Sequence, residues 1–387
     1  MRINQRVDRI PLSQTLALDA RAKKLAASGR DIVNMTAGEP DFDSPKVVRD
    51  AAKAAINGGR VRYTPAPGRL ALREAIAEHL TRTRGVPFTS EEITVCHSGK
   101  HALSGALLTL VSDGDEVLLL LPAWVSYVEQ VRFAGGASIG VAPRPDMGPD
   151  FDALEQAVTS KTAGIMLNSP SNPSGYVCTE EELAKLAAFA KKHDIWILSD
   201  EIYGRLVYDS EPYRSTVQYG DDARARTVIV DGASKTYAMT GYRIGFVAAQ
   251  KKVANAVERL HSQLTGAPNA IGQEAFEAAL RSEPPELDIM LAAFCERRDR
   301  ILEGLEALGM HTPPPRGAFY VFPDITKHWP DGNSEEFCDT LLEREGVAIV
   351  PGAAFGVEGH IRFSYATSME NINESLKRLA RFLEGLN

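Results

Sequence analysis

Seven short apolar runs, separated by amphipathic stretches through the middle of the chain, constrain the fold more than any other feature. They are Ile93–Cys96, Glu116–Leu121, Ala137–Val141, Gly164–Leu167, Ile195–Ser199, Thr227–Val230 and Ile244–Ala248. Each is close to continuously apolar rather than alternating, as strands are when helices cover both faces of a sheet. Between them, Thr179-Glu180-Glu181-Glu182 reads as a capping box that opens a helix with Leu183, Leu186 and Ala190 on one face. Asp152-Ala153-Leu154-Glu155 offers a similar start. Strand–helix–strand alternation predicts an α/β layered domain with a mostly parallel sheet.

The ends of the chain read differently. An irregular arm and a helix around Leu16–Ser28 precede about Val47. After Pro284-Pro285 come a charged helix, about Ile289–Leu308, and an alternating segment, Ala318–Phe322. A final helix carries Ile372, Leu376, Leu379 and Leu383 as an apolar stripe. The two ends are expected to pack together as a smaller α+β domain. A chain of 387 residues is long enough for two such units.

Composition excludes several classes. With 44% hydrophobic and 24% charged residues the chain has the apolar surface a disordered protein lacks. Its net charge of −8 and the lack of any Lys/Arg-rich block argue against nucleic acid as a partner. No apolar run approaches the ~20 residues of a membrane helix, and the charged N-terminus is unlike a signal peptide. Cys96, Cys178, Cys295 and Cys338 are too scattered for a zinc site or a disulfide framework. No metal site is expected, and the chain reads as cytoplasmic.

No G-x-G-x-x-G follows a strand, Ser98-Gly99-Lys100-His101 lacks the spacing of a P-loop, and neither H-E-x-x-H nor G-x-S-x-G occurs. What remains is polar residues placed where strands end, the position at which open α/β sheets bind ligands. Asn168–Gly175, Ser199–Tyr203, Gly232–Lys235 and Ser98–Lys100 all follow apolar runs, and Arg243 lies eight residues beyond Lys235. Ser98-Gly99-Lys100 also begins a helix, whose amides suit an anion. Singly, each has a plain structural reading: a solvated lysine, a helix-capping Asp-Glu pair, an Asn-Pro turn, an ion-paired arginine, a core Trp124. Composition and spacing therefore reach an α/β enzyme with a polar site at strand ends.

The particular strings carry more. Thr36-Ala-Gly-Glu-Pro-Asp-Phe-Asp43, Tyr63-Thr-Pro-Ala-Pro-Gly68, Asn168-Ser-Pro-Ser-Asn-Pro-Ser-Gly175, Ser199-Asp-Glu-Ile-Tyr203, Gly232-Ala-Ser-Lys-Thr-Tyr-Ala-Met-Thr-Gly-Tyr-Arg-Ile-Gly245 and His360-Ile-Arg-Phe-Ser-Tyr-Ala366 occur in that order. Together they resemble the class I aminotransferases that use pyridoxal phosphate (PLP), from about Asn4 to the C-terminus. Gly99-Lys100 and Trp124-Val-Ser-Tyr127 resemble the bacterial and plastid aspartate aminotransferases, some of which also act on prephenate.

That resemblance implies the type I fold of PLP-dependent transferases. Residues 47–284 would form the large PLP-binding domain, and 1–46 with 285–387 the small domain and its mobile N-terminal arm. It implies transfer of the amino group between L-aspartate and 2-oxoglutarate through a Schiff base at Lys235. Asp200 matches the carboxylate that pairs with the pyridine nitrogen, Tyr203 and Asn172 the contacts to the O3′ oxygen, and Trp124 the ring that stacks on the pyridine. The phosphate cradle maps to Ser98, Gly99, Lys100, Ser234 and Arg243. Tyr63 matches a tyrosine donated by the neighbouring subunit of a homodimer.

Among substrate contacts, Arg362 matches the fork that clamps the α-carboxylate, which lysine does not reproduce. The resemblance also implies a backbone contact from Gly38, substrate contacts from Asn172 and Trp124, and a distal carboxylate held by Lys100 with Thr15. The alternative for Lys100 is a cap on the phosphate loop. Two departures stand out: Gly232 lies where many relatives carry serine, and Ser262-Gln263-Leu264-Thr265 stands where relatives of the animal type place an arginine. Other PLP reactions on this scaffold, such as aromatic transamination or carbon–sulfur lysis, and a non-catalytic regulator are the competing readings. The Lys100/Arg362 pair favours two-carboxylate substrates. The start of the match within a few residues of Met1 is expected to leave no room for a regulator's DNA-binding domain.

Overall fold

The structure, a computed structural model, describes residues 3, 5–8, 10–11, 14–209 and 212–386. Residues 1–2, 4, 9 and 12–13 of the expected arm lie outside the described residues. Twelve strands are described, in chain order β1 (Val33–Asn34), β2 (Ile93–Cys96), β3 (Glu116–Leu120), β4 (Ala137–Val141), β5 (Thr162–Asn168), β6 (Trp196–Asp200), β7 (Thr227–Gly232), β8 (Gly245–Ala248), β9 (Tyr320–Val321), β10 (Val347–Ala348), β11 (Val350–Pro351) and β12 (Ile361–Ser364).

The seven apolar runs form one sheet in the order β2-β8-β7-β6-β5-β3-β4. Only β8 runs against the others, antiparallel to β2 and β7. Helices cover both faces, so β2, β8 and the interior of β3 are wholly buried. Several ends differ from expectation. Asn168, Asp200 and Gly232 are the last residues of their strands rather than the first of the following loops. The reason is pairing: Asn168 stands beside Asp200 in register, and Gly232 beside Gly245.

Local signals explain the helices. Thr179 N donates to Glu182 Oε2 at 2.8 Å and Glu182 N to Thr179 Oγ1 at 3.2 Å, completing the capping box of Glu180–Lys192. The next expectation needs correction: Asp150, not Asp152, caps Phe151–Ala157, accepting from the amides of Asp152 and Ala153 at 3.0 Å. The early helix spans Gln14–Ala27. The charged helix spans Glu286–Ala307, beginning three residues early because Pro285 precedes it as N-cap.

Outside the large sheet, β9, β11 and β12 form an antiparallel sheet and β1 pairs parallel with β10. A separate apolar core joins these strands to Glu286–Ala307, Ser334–Glu345 and Met369–Glu384. The predicted stripe Ile372, Leu376, Leu379 and Leu383 lies in that core. The alternation expected over Ala318–Phe322 is absent: all five side chains are buried, because the segment has packing on both sides. No described helix is long and apolar enough to cross a membrane.

Candidate active site

The carboxyl ends of β5, β6 and β7 open on a cavity of about 670 Å³, within the range of small-molecule sites. Thirteen of the fourteen residues singled out from sequence line it: Thr15, Gly38, Ser98, Gly99, Lys100, Trp124, Asn172, Asp200, Tyr203, Ser234, Lys235, Arg243 and Arg362. Tyr63 does not; its side chain is fully exposed on the surface.

Strand alternation sorts the Asp-Glu pair. Glu201 turns inward and accepts from Arg84 Nε at 2.9 Å and from the Ser199 and Ser215 hydroxyls, a structural ion pair. Asp200 turns to the cavity, 4% exposed, with Oδ2 accepting from Tyr127 Oη at 2.6 Å and Oδ1 from the Ile202 amide at 3.2 Å. Burial pushes its carboxyl up to about 6, while the Tyr127 hydrogen bond pulls the other way. Such a carboxyl suits a cationic partner. Beside it, Asn168 Nδ2 donates to the Asp200 carbonyl at 3.0 Å, and Asn168 Oδ1 accepts from the Asn172 amide at 2.8 Å.

Lys235 sits in the short helix Ala233–Thr236 that follows β7, and its Nζ donates to the Gly38 carbonyl. Burial lowers its ammonium to about 8; Glu39 opposes the shift, while Arg243 and Arg362 reinforce it. An amine so placed is a fair nucleophile and proton carrier near neutral pH.

Two anion-receptive features flank it. Ser98 precedes the helix Gly99–Leu110 with φ 85 and ψ 163, a conformation that costs a residue with a side chain about 1–3 kcal/mol. The strain aims the helix start at the cavity. Arg243, itself left-handed at φ 55, donates from Nη1 to the Thr240 carbonyl at 2.7 Å. Lys100 holds its Nζ 4.7 Å from the Trp124 ring centroid, and burial followed by Arg243 lowers its ammonium. Among the described residues neither Arg243 nor Lys100 has a carboxylate partner.

Gly232 follows from the same geometry. A Cβ there would lie 2.7 Å from Gly245 Cα and 2.8 Å from the Ile244 carbonyl, so serine does not fit without moving β8.

Arg362, on β12, reaches the cavity from the other core and is 2% exposed. Its Nη1 donates to Asn172 Oδ1 at 3.0 Å and its Nη2 to the Thr36 carbonyl at 2.8 Å, while Nε is buried without a partner. Its guanidinium lies over the Tyr320 ring, 4.6 Å from the centroid. A buried arginine with an unused donor is ready for a carboxylate.

Sequence reasoning assigned no role to Tyr127, Tyr320, Glu39 or Asp19, all of which line the cavity. Tyr127 had a signal, standing within the Trp124-Val-Ser-Tyr127 string; Tyr320 stood in a segment read only for its apolar pattern. The lining brings together an amine, a buried carboxyl, a buried arginine with a free donor and a helix start beside a second arginine, a set that suits a small molecule carrying anionic groups.

Comparison with known proteins agrees with this chemistry. Residues 30–379 match the family model for aminotransferase class I and II. Aspartate/prephenate aminotransferase of Thermus thermophilus is 42% identical over 386 residues, covering 98% of both chains. Aspartate aminotransferase of Bacillus subtilis is 39% identical over 392 residues, covering 99% of both. The structure of Thermus thermophilus aspartate aminotransferase with maleate superposes with a TM-score of 0.94 at 42% identity, covering 98% of this chain and all of that one.

Proposed function

The chain belongs to the class I and II aminotransferases, and on that premise we propose that it transfers the amino group between L-aspartate and 2-oxoglutarate, with prephenate as a further substrate, as a cytoplasmic homodimer holding PLP at Lys235. The observation that carries this reading is that Lys235, Asp200 and Arg362 open on one cavity. They supply an amine, a buried carboxyl and a carboxylate clamp.

The residues fit the cofactor. Lys235 Nζ would take the aldehyde, Asp200 the pyridine nitrogen, and Tyr203 and Asn172 the O3′ oxygen. The amides at Ser98-Gly99, with Arg243, would take the phosphate. Trp124 would cover one face of the ring. Bound there, PLP supplies an electron sink that stabilises charge left at the substrate Cα.

Arg362 holds the α-carboxylate by its fork and so fixes which Cα bond faces Lys235. Lys235 Nζ, poised near 8 by burial, accepts the Cα proton and returns it on the other side of the reaction. Asp200, ionised, would hold the ring nitrogen of the cofactor and favour its protonated form. Lys100 and Thr15 take the distal carboxylate. The same reading assigns 47–284 to the PLP-binding domain and 1–46 with 285–387 to the small one; the large sheet lies wholly within the first range, and the small domain's apolar core also takes in Tyr203, Leu206 and Tyr208 where the two meet. The exposed Tyr63, near exposed Val61 in sequence, supports a role for Tyr63 in the partner's site.

The test is direct. Purified protein is expected to be yellow, and its visible absorbance to bleach on addition of aspartate. Lys235→Ala is expected to bind cofactor without turnover; substantial transamination by that variant overturns the assignment.

A further inference from the structure

Tyr320 is wholly buried, yet it borders the cavity and has no place in the reading above. It stands on β9, in register with Ser364 of β12, and touches two groups that serve different parts of the reaction. Its Oη lies 2.9 Å from Tyr203 Oη. Its ring underlies Arg362. Neighbouring rings hold it: Phe319 packs at 4.7 Å between centroids and Tyr203 stands edge-on at 5.9 Å.

Each phenol carries one proton, so one hydroxyl of the pair donates and the other accepts. Of the charged groups around them, Arg362 faces Tyr320, whereas Arg362 and Asp200 both face Tyr203. A nearby cation makes a phenol the stronger donor, and a nearby carboxylate makes it the weaker one. That arrangement of charges favours Tyr320 as the donor and Tyr203 as the acceptor, which leaves the Tyr203 proton for the cavity.

We propose that Tyr320 is a positioning residue with two separable parts: its ring seats Arg362 for the substrate carboxylate, and its hydroxyl strengthens the hydrogen bond that Tyr203 gives to the cofactor oxygen. Accepting a bond polarises the Tyr203 O–H and improves it as a donor. A carboxylate on Arg362 cancels the charge that favours Tyr320 as donor, so filling the substrate clamp weakens the Tyr203 bond. Tyr320 thereby couples the carboxylate subsite to the cofactor oxygen alongside Asn172, which accepts from Arg362 directly. This rests on the reading of Tyr203 as the phenol that meets O3′.

A bond donated to that oxygen draws off charge that otherwise holds a nearby proton. Weakening the bond moves the loss of that proton to higher pH. The experiment is a pH titration of the visible absorbance of the PLP-loaded protein, with steady-state kinetics alongside. Tyr320→Phe removes only the hydroxyl; its midpoint is expected to rise by about half a pH unit, with KM for aspartate within about twofold of wild type. Tyr320→Leu removes the ring as well and is expected to raise KM roughly three- to thirtyfold. Tyr203→Phe gives the reference, with a larger midpoint rise than Tyr320→Phe.

An unmoved midpoint in Tyr320→Phe beside a raised one in Tyr203→Phe overturns the relay and leaves the role of Tyr203 standing. An unmoved midpoint in Tyr203→Phe removes that role and the relay together. A rise in KM for Tyr320→Phe as large as in Tyr320→Leu overturns the separation of ring and hydroxyl. Should Tyr320→Leu not fold, the midpoint and KM of Tyr320→Phe decide the matter.

Discussion

Asp200→Asn is expected to stabilise the cofactor-free protein while weakening its hold on PLP. Burial keeps the Asp200 carboxyl at about 6, against an ordinary 3.8. The folded chain therefore binds this proton more tightly than the unfolded chain does. Stability contributed by the group falls as pH rises from about 4 to about 6, and the loss persists above that. At 1.36 kcal/mol per pH unit the penalty is about 3 kcal/mol for the ionised carboxylate. Asparagine keeps an acceptor for Tyr127 Oη and carries no charge to desolvate. Urea unfolding of the two cofactor-free proteins is expected to differ by about 3 kcal/mol in favour of Asp200→Asn at pH 8, and by much less at pH 4.5. With PLP bound the order is expected to reverse, because asparagine offers no charge to a protonated ring nitrogen. A variant less stable than wild type at pH 8 without cofactor, or a difference that ignores pH, refutes the argument that burial strains this carboxylate.

Lys100→Ser is expected to lower kcat/KM for aspartate and prephenate by roughly ten- to a hundredfold, from the loss of a charge-assisted bond of ~1.5–3 kcal/mol. Activity on alanine or phenylalanine is expected to change much less; equal losses for acidic and neutral substrates leave Lys100 only a cap on the phosphate loop. Tyr63→Ala and Lys235→Ala, each with little activity alone, are expected to regain about a quarter of wild-type activity when mixed as subunits, because half the dimers then hold one complete site. A fully active monomer in sedimentation excludes that arrangement.

The large sheet was legible because covering helices make both faces of its strands apolar, so each run stands out without help from distant residues. Strand ends were less so: Asn168 and Asp200 are polar and read as loop, yet register with each other keeps them in the sheet. Asp150 and Asp152 are equally good caps in sequence, and only the path of the chain decides between them. Lys235, Arg243 and Arg362 stand in distinctive strings, whereas Tyr320 stands in an apolar segment whose neighbours are all buried. Its partners, Tyr203 and Arg362, lie 117 residues before it and on a different strand. Such a contact exists only in the folded chain. Gly232 stood out in sequence only as a departure from relatives that carry serine, and the close approach of β8 is what excludes a side chain there.

That approach sets a gauge. Gly232 and Gly245 stand opposite each other in register, and a Cβ on Gly245 would come within 2.5 Å of the Ser98 carbonyl carbon. Three backbones, those of β7, β8 and the turn into the helix Gly99–Leu110, are thus layered with no side chain between them. Lys235 leaves the first layer three residues after Gly232, and Arg243 enters the second two residues before Gly245. The separation of the main chain that carries Lys235 from the main chain that carries Arg243 is therefore set by bare backbone, which cannot rotate or compress as side chains do. Changing that span by mutation would require side chains at 232 and 245 and a displaced loop at 98–99 together, so remodelling this chain for a longer or shorter cofactor is a problem of moving strands rather than of exchanging contacts.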